Sequence, residues 1–382
     1  MASKSELFPL KGTFQKYPWG KEISKSILAG FAKTQPEMPS SGTVAELWLG
    51  SHPNGESEIK IENAWQPLKN FLESKPELSE FNFLTKILCI NKPLSIQLHP
   101  NAKEALRLNL NNPTNFPDSN PKPEMAVALS DLELLCGVRP VSEIIELVEN
   151  HVAFKSSSKF DPSAAIEEGG ISKLFEVILT LDNDELNRIL GIFRGLETNT
   201  PHDSISKSLI ETKTSLDPGI LALHLLSFLK IKKGEAIYIK PNIPHAYISG
   251  EAFECMKNSD NVVRGGLTSK TIDVENFCRL VETQPYNPKL TPHQVNSHTV
   301  RYLNDDLPFL VDQIQIKTNS KDTLELKGGN GHEIILVTAG SGNIELSETS
   351  YDLLPGSSFY CCSRTSMNIS GEELSLFRIL AK

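Results

Sequence analysis

No run of apolar residues in this chain approaches the roughly 18 needed to cross a bilayer. Its first residues, "MASKSELFPLKG", carry no apolar stretch of the kind a secretory signal uses. A membrane partner and export are therefore not expected. A long basic tract is also missing. Lys plus Arg number 38 against 47 Asp plus Glu, a formal charge of −9, which argues against a nucleic-acid partner. The six cysteines, Cys89, Cys136, Cys255, Cys278, Cys361 and Cys362, show neither CxxC spacing nor a small disulfide framework. Several lie in apolar runs, where free Cys behaves as a small buried hydrophobe. A soluble chain in a reducing, cytoplasmic compartment is expected, as a monomer or weak dimer. An anionic small substrate would need a local positive site, because the overall field repels it.

What the sequence does have is enough apolar material for a large core: 382 residues, 39% of them hydrophobic. That length exceeds the size at which single cores stop growing, so two or three domains are expected. Between 43 and 99, short runs such as "TVAELWLG", "SEIKIE" and "PLSIQLHP" are separated by Gly, Pro and Asn, the pattern of antiparallel sheet; the helical "LKNFLES" interrupts them. After Gly137 the period changes. "SEIIELVENHVAF" places Ile144, Ile145, Val148 and Val152 at helical spacing with Ser142 as N-cap. "ISKLFEVILTL", "DELNRILGIFRGL" and "PGILALHLLSFL" continue the pattern to about 228. Strand signals then return, and from 285 "HEIILVTAGSGNIELSETSYDLLPGSSFYCC" reads as strands with turns at Gly340–Gly342 and Pro355–Gly356. This stretch resembles the core of a cupin β-barrel, and it lacks a His-x-His pair, so no metal is expected there. The fold class expected is mainly β with an α-helical insertion. It comprises a catalytic metal-binding cupin unit (1–137 with 229–284), a helical domain (138–228) and a C-terminal cupin-like jelly-roll (285–382).

Inside "LSIQLHP", Gln97 and His99 stand two residues apart between Ile96, Leu98 and Pro100. In a strand they point to one face, where they could share a metal or satisfy each other. Two other ligand-type residues sit in similarly punctuated apolar settings: Glu124 of "PKPEMAVAL" and His245 of "PNIPHAYISG". Together the four offer two nitrogens and two oxygens, a set suited to zinc. Taken singly, each is more commonly a satisfied core group or a strand-end residue. His224, on "LALHLLSF", is expected in a core, and His52 of "GSHP" in turn structure.

The segments "YPWGK", "AELWLGSHP", "LTKIL", "PLSIQLHPN", "KPEMA", "PHAYISG" and "ECMKNSDNVVRGGLTSK" occur in order between residue 14 and about 273. Together they resemble the type I mannose-6-phosphate isomerase family of the cupin superfamily. The resemblance implies one zinc ion per chain, held by Gln97, His99, Glu124 and His245. It implies interconversion of mannose 6-phosphate and fructose 6-phosphate, by proton transfer between C1 and C2 through an enediol, in a setting of carbohydrate metabolism such as GDP-mannose biosynthesis. Arg264 matches the family's catalytic arginine, a fixed charge for the developing oxyanion. Glu254 and Asp260 flank it as candidates for proton transfer. Ser95, Lys86 and Lys122 are implied for the phosphate, Lys270 as a further cation, and Trp19, Tyr247 and Lys103 as pocket wall. Relatives often carry His where this chain has Pro121, so a ring-opening role for that His would have to be met differently here. Two other classes stand beside the isomerase: a catalytically silent cupin that binds a sugar phosphate or metal, and an oxygen-using iron cupin. Gln97 at a ligand position argues against the second.

Overall fold

The segment Phe83–Ile90, FLTKILCI, is buried at every position, as a strand must be when both faces are covered. It pairs on one side with Glu46–Leu49 and on the other with the long strand His245–Lys257. Glu124–Ala128 adds to the far side of that long strand and is followed by Ala236–Ile239. The structure, a computed structural model, describes every residue except 1–6, 76–80, 157–160, 199, 213–215, 318–322, 330, 347–348 and 363–365. Among the described residues this sheet contains eleven strands, and a second sheet contains eleven more.

The second sheet is built around Phe309–Ile316, Glu333–Leu346 and Met367–Ala381, paired antiparallel. Its membership differs from the expected division of the chain. Leu7–Lys11 pairs with Ser358–Cys361 and with Glu58–Ile61, which carries Ala64–Pro67. Residues 7–11 and 58–67, expected with the first unit, thus hydrogen-bond into the C-terminal sheet. The two sheets share a core in which Phe253 of the first stacks on Phe377 of the second, with ring centroids 4.1 Å apart. Gly340 and Gly342 do not form a turn. They lie within the continuous strand Glu333–Leu346, where the register shifts around Ala339 and Gly340 adopts φ +79°. A bulge with a residue in the left-handed region keeps the ladder going where glycine alone had suggested a reversal. The Pro355–Gly356 turn is as expected, between Thr349–Leu353 and Ser358–Cys361.

All helices between Val141 and Ala222 fall between two strands, Leu132–Val138 and Leu226–Ile231, which pair with one another. The first helix, Val141–Asn150, starts from Pro140, with φ −50° and ψ 136° and no side-chain cap. Ser142 is therefore inside the first turn and not the cap. This helix buries Ile144 and Val148 but leaves Ile145 39% exposed; Val152, at 48%, belongs to a new helix. His151 breaks the run and resets the phase, accepting on Nδ1 the backbone N–H of Ala153. The helical reading also ran too far at its end. The chain leaves the helix Gly219–Ala222 through a 3₁₀ turn and is already a strand at Leu226, where pairing to Val138 supplies its backbone partners. Leu174, Phe175, Ile178 and Leu221 share one core with Phe277, each at most 1% exposed. Each contributes about 1.5–3 kcal/mol of burial. Among the described residues no helix is long and apolar enough to cross a membrane.

Candidate metal centre and active site

His99 sits one residue past the strand Ile96–Leu98, where Pro100 stops the pairing and Asn101 caps the next helix through the Glu104 N–H, 3.0 Å away. Glu124 and His245 each open a strand, Glu124–Ala128 and His245–Lys257. His245 lies opposite Gln97 in register. Strand ends from three parts of the sequence therefore converge. His99 Nε2 is 3.2 Å from Glu124 Oε1, and His245 Nε2 is 3.5 Å from Glu124 Oε2, with all three residues buried.

The tautomers are fixed by what surrounds them. His99 Nδ1 lies 2.8 Å from the Asn261 carbonyl oxygen, and His245 Nδ1 lies 2.9 Å from that of Ile243. A carbonyl can only accept, so both Nδ1 atoms carry protons and both Nε2 atoms present lone pairs. Neither Nε2 has a hydrogen-bond partner despite being buried. Two lone pairs facing a carboxylate are costly in isolation. They are what a cation requires, and spacings near 3.3 Å are about the edge of a tetrahedron with ~2.0–2.1 Å ligand bonds. Burial, with Lys122 nearby, lowers His99 to about 4, so it is neutral and ligand-competent at neutral pH. Burial pushes the Glu124 carboxyl up, but the Lys122 ammonium 3.1 Å away leads the influences that hold the group well below the usual range.

Beside this centre lies an acid–base cluster. Lys86 Nζ is 3.6 Å from Glu46 and 3.5 Å from Glu254, all three buried. Trp48 donates its indole N–H to Glu46, and its ring lies under the Lys86 ammonium. Tyr247 Oη donates to Glu254 at 3.3 Å. Burial and the neighbouring Glu124 charge raise Glu254 to about 7 despite Lys86. Asp260 is half-buried and held low chiefly by His52, whose Nε2 is 3.3 Å away. Its other oxygen accepts from Asn54 at 2.7 Å. Asp118 ties down the loop carrying Asp260, accepting from the Ser259 hydroxyl, the Asp260 N–H and the Asn261 side chain at 2.9, 2.9 and 3.1 Å. The same loop supplies the carbonyl that orients His99.

Other expected residues are placed less uniformly. Arg264 lies opposite Gln97 in the short strand Val263–Gly266. It is half-buried and, among the described residues, forms no ion pair; burial alone lowers its guanidinium below the ordinary value. Lys86 and Lys122, by contrast, are both committed to carboxylates. Ser95 and Gln97 are half-buried, and Trp19 stacks with Tyr17. Lys270 and Lys103 are exposed. Sequence reasoning missed Glu46, Trp48 and Asp118, and it gave His52 only a turn. The available signal for Glu46 was a carboxylate inside the apolar "AELWLG".

A second group, His151, Asp203 and His224, also gathers potential ligand atoms, but it fails the tautomer test. His151 Nδ1 accepts from the Ala153 N–H, so the proton is on Nε2, which donates to Asp203 Oδ1 at 3.1 Å. His224 Nε2 is engaged with Ser206 at 2.9 Å. This is a satisfied core network, matching the expectation that His224 is a core residue.

A buried His–Glu–His group with free Nε2 lone pairs could hold a metal ion, and the carboxyl raised to about 7 beside it has a proton affinity suited to acid–base chemistry. Residues 7–141 match the family model described as phosphomannose isomerase type I, catalytic domain. The chain is 30% identical to a probable mannose-6-phosphate isomerase of Caenorhabditis elegans over 97% of its own length and 94% of that protein. It is 34% identical to the human mannose-6-phosphate isomerase over 74% of each chain. A crystal structure of mannose 6-phosphate isomerase bound with zinc and yttrium matches with a TM-score of 0.85 at 25% identity, covering 99% of this chain and 100% of the other. The chain therefore belongs to the type I mannose-6-phosphate isomerase family, and it is an isomerase.

Proposed function

We propose that this chain interconverts mannose 6-phosphate and fructose 6-phosphate by moving a proton between C1 and C2 through an enediol. The reading is carried by one observation: two buried Nε2 lone pairs, oriented by carbonyls on Nδ1, face the Glu124 carboxylate without hydrogen-bond partners. That donor set fits zinc, and Gln97, His99, Glu124 and His245 would hold one ion. When bound, the ion supplies Lewis-acid polarisation of the sugar's carbonyl and hydroxyl oxygens. Its presence in a relative's crystal structure supports the choice of metal.

The chain's own residues would do the rest. Glu254, with a carboxyl near 7, is suited to taking a carbon-bound proton and returning it to the adjacent carbon. Lys86 and Tyr247 hold its two oxygens in place. Arg264, without a carboxylate partner among the described residues, offers a planar cation to the developing enediolate or to the phosphate. Asp260, kept ionised by His52, suits proton exchange between the sugar oxygens. Ser95 and Lys270 contribute to phosphate binding, Lys122 keeps Glu124 ionised and adds positive charge, and Trp19 lines the sugar's approach. The two sheets are read as cupin-type barrels, with the 138–228 stretch inserted in the first, and the chain as cytoplasmic.

The test is a coupled assay of fructose 6-phosphate formation from mannose 6-phosphate, run on chelator-treated protein before and after zinc is restored. Zinc-dependent turnover is the expected result. A folded, zinc-loaded protein that does not turn over would sink the assignment.

A further inference from the structure

Resting on the isomerase reading, we infer that Asp217, at the end of the helical stretch, is a positioning residue that sets Arg264 for catalysis by gripping the backbone just beyond it. Asp217 is only 4% exposed. Its Oδ1 accepts the backbone N–H groups of Gly219 and Leu267, each at 2.9 Å, and its Oδ2 accepts that of Thr268 at 2.8 Å. One buried carboxylate thus ties the start of the helix Gly219–Ala222 to the loop that leaves the Arg264 strand. Charge-assisted bonds from backbone amides are about twice as strong as neutral ones, and a buried carboxylate this placed would be expensive to leave without them.

The loop needs such a restraint. Gly266 has φ +132° and Leu267 φ +54°, the latter in a region that a branched side chain rarely occupies. The register with Ile96–Leu98 also slips between Arg264 and Gly266. The ladder is irregular just past Arg264 before pairing resumes at Gly266 opposite Ile96, so a further restraint on this strand end helps to fix where Arg264 points. The two segments touch backbone to backbone. A Cβ on Gly219 would lie 2.4 Å from the Leu267 nitrogen, and one on Gly266 would lie 2.4 Å from the Gly219 Cα. Gly265 is backed by the Phe277 ring, whose helix is anchored in the helical core. Asp217 and the Gly219–Gly266 contact are therefore the points at which that core sets the Arg264 strand end. A displacement of about 1 Å in a positioned catalytic group can cost on the order of 10² in rate.

The experiment is a double-mutant cycle. Asp217→Asn keeps the shape but loses an acceptor; Gly219→Ala attacks the same junction from the other side. Each is made in the wild-type and Arg264→Ala backgrounds, and bound zinc is measured in all. With zinc content unchanged, each variant is expected to lower kcat by about 10- to 100-fold in the wild-type background. In the Arg264→Ala background the effect should shrink to about twofold or less, because there is no guanidinium left to misplace. Amide exchange at Leu267 and Thr268 should also accelerate in Asp217→Asn. An equal fold-loss in both backgrounds, which a merely structural role gives, overturns the proposal. So does unchanged kcat, or unchanged exchange at those amides. A wild type inactive on mannose 6-phosphate overturns the isomerase reading and the catalytic role together, while the exchange result still decides whether the grip exists.

Discussion

Lys86 Nζ lies 3.5 Å from the Glu254 carboxylate, and yet Glu254 holds its proton up to about pH 7. The ammonium does not win because burial is the larger influence, and because the neighbouring Glu124 charge adds to it. For a base that must be ionised, kcat/KM should rise with pH through about 7. Zinc held at Glu124, as proposed, would offset the second influence and move that limb downward, so the zinc-loaded protein should show it at or below that pH. Glu254→Gln should flatten the limb and lower kcat by about 10²–10⁴-fold. The pH–rate profiles of both proteins check this, and an unchanged limb in the variant removes Glu254 from the role.

The two histidine clusters differ in tautomer and should therefore differ in what they bind. His99→Ala and His245→Ala each remove a lone pair that has no other partner, and bound zinc should fall from one per chain to less than about a tenth after dialysis against a weak chelator. His151→Ala should leave zinc at one per chain, because its Nε2 proton already belongs to Asp203. Elemental analysis of the three variants decides it. Two equivalents of zinc in the wild type would contradict the assignment of the His151 group.

Among the described residues Arg264, unlike the buried lysines, has no carboxylate to neutralise it, so its charge is available to a ligand. Arg264→Ala should reduce kcat/KM by about 10²–10³-fold. Arg264→Lys should recover only part of that, since an ammonium cannot reproduce the planar fork. Bound zinc and thermal midpoint should stay near wild type in both. Full activity in the lysine variant would show that only the point charge matters.

How much of this was legible in the sequence depended on whether a residue's partner was close along the chain. The His–Glu–His set was legible as a candidate because each member interrupts an apolar run at a Pro-bounded strand end, and the family resemblance then singled it out. The buried strands and the change to helical period after Gly137 were equally plain. Long-range pairing was not: nothing in Leu7–Lys11 says that it will join Ser358–Cys361. Nor does "AELWLG" say that Glu46 will meet Lys86 across a strand pair. Helix limits failed where a local feature outweighed period, as Pro140 did over Ser142 and His151 did over the run to Val152. Gly340 misled because positive φ serves a bulge as readily as a turn.

The C-terminal sheet offers a stability test that leaves the active site alone. Glu333 is fully buried and is held by Arg378, with Nη2 2.7 Å from Oε2. Arg378 lies opposite Asp312 in register, and Asp312 is gripped by Arg301 through contacts of 2.6 and 2.7 Å. Charges of alternating sign therefore run across neighbouring strands, buried from Asp312 to Glu333 and partly open to water at Arg301. Burial raises the Glu333 carboxyl even with the guanidinium beside it, so the pair's attraction only partly offsets the cost of desolvating it. Removing one member should then be far worse than removing both. Arg378→Ala should destabilise the fold by about 3–5 kcal/mol, whereas Arg378→Met with Glu333→Leu should lie within about 1 kcal/mol of wild type or above it. Urea denaturation of the three proteins measures this. Zinc content and kcat of the double variant should match the wild type, because the ladder lies in the other sheet from the metal ligands. A double variant as unstable as Arg378→Ala would mean that these charges stabilise the sheet outright, and that the desolvation argument has the wrong sign here.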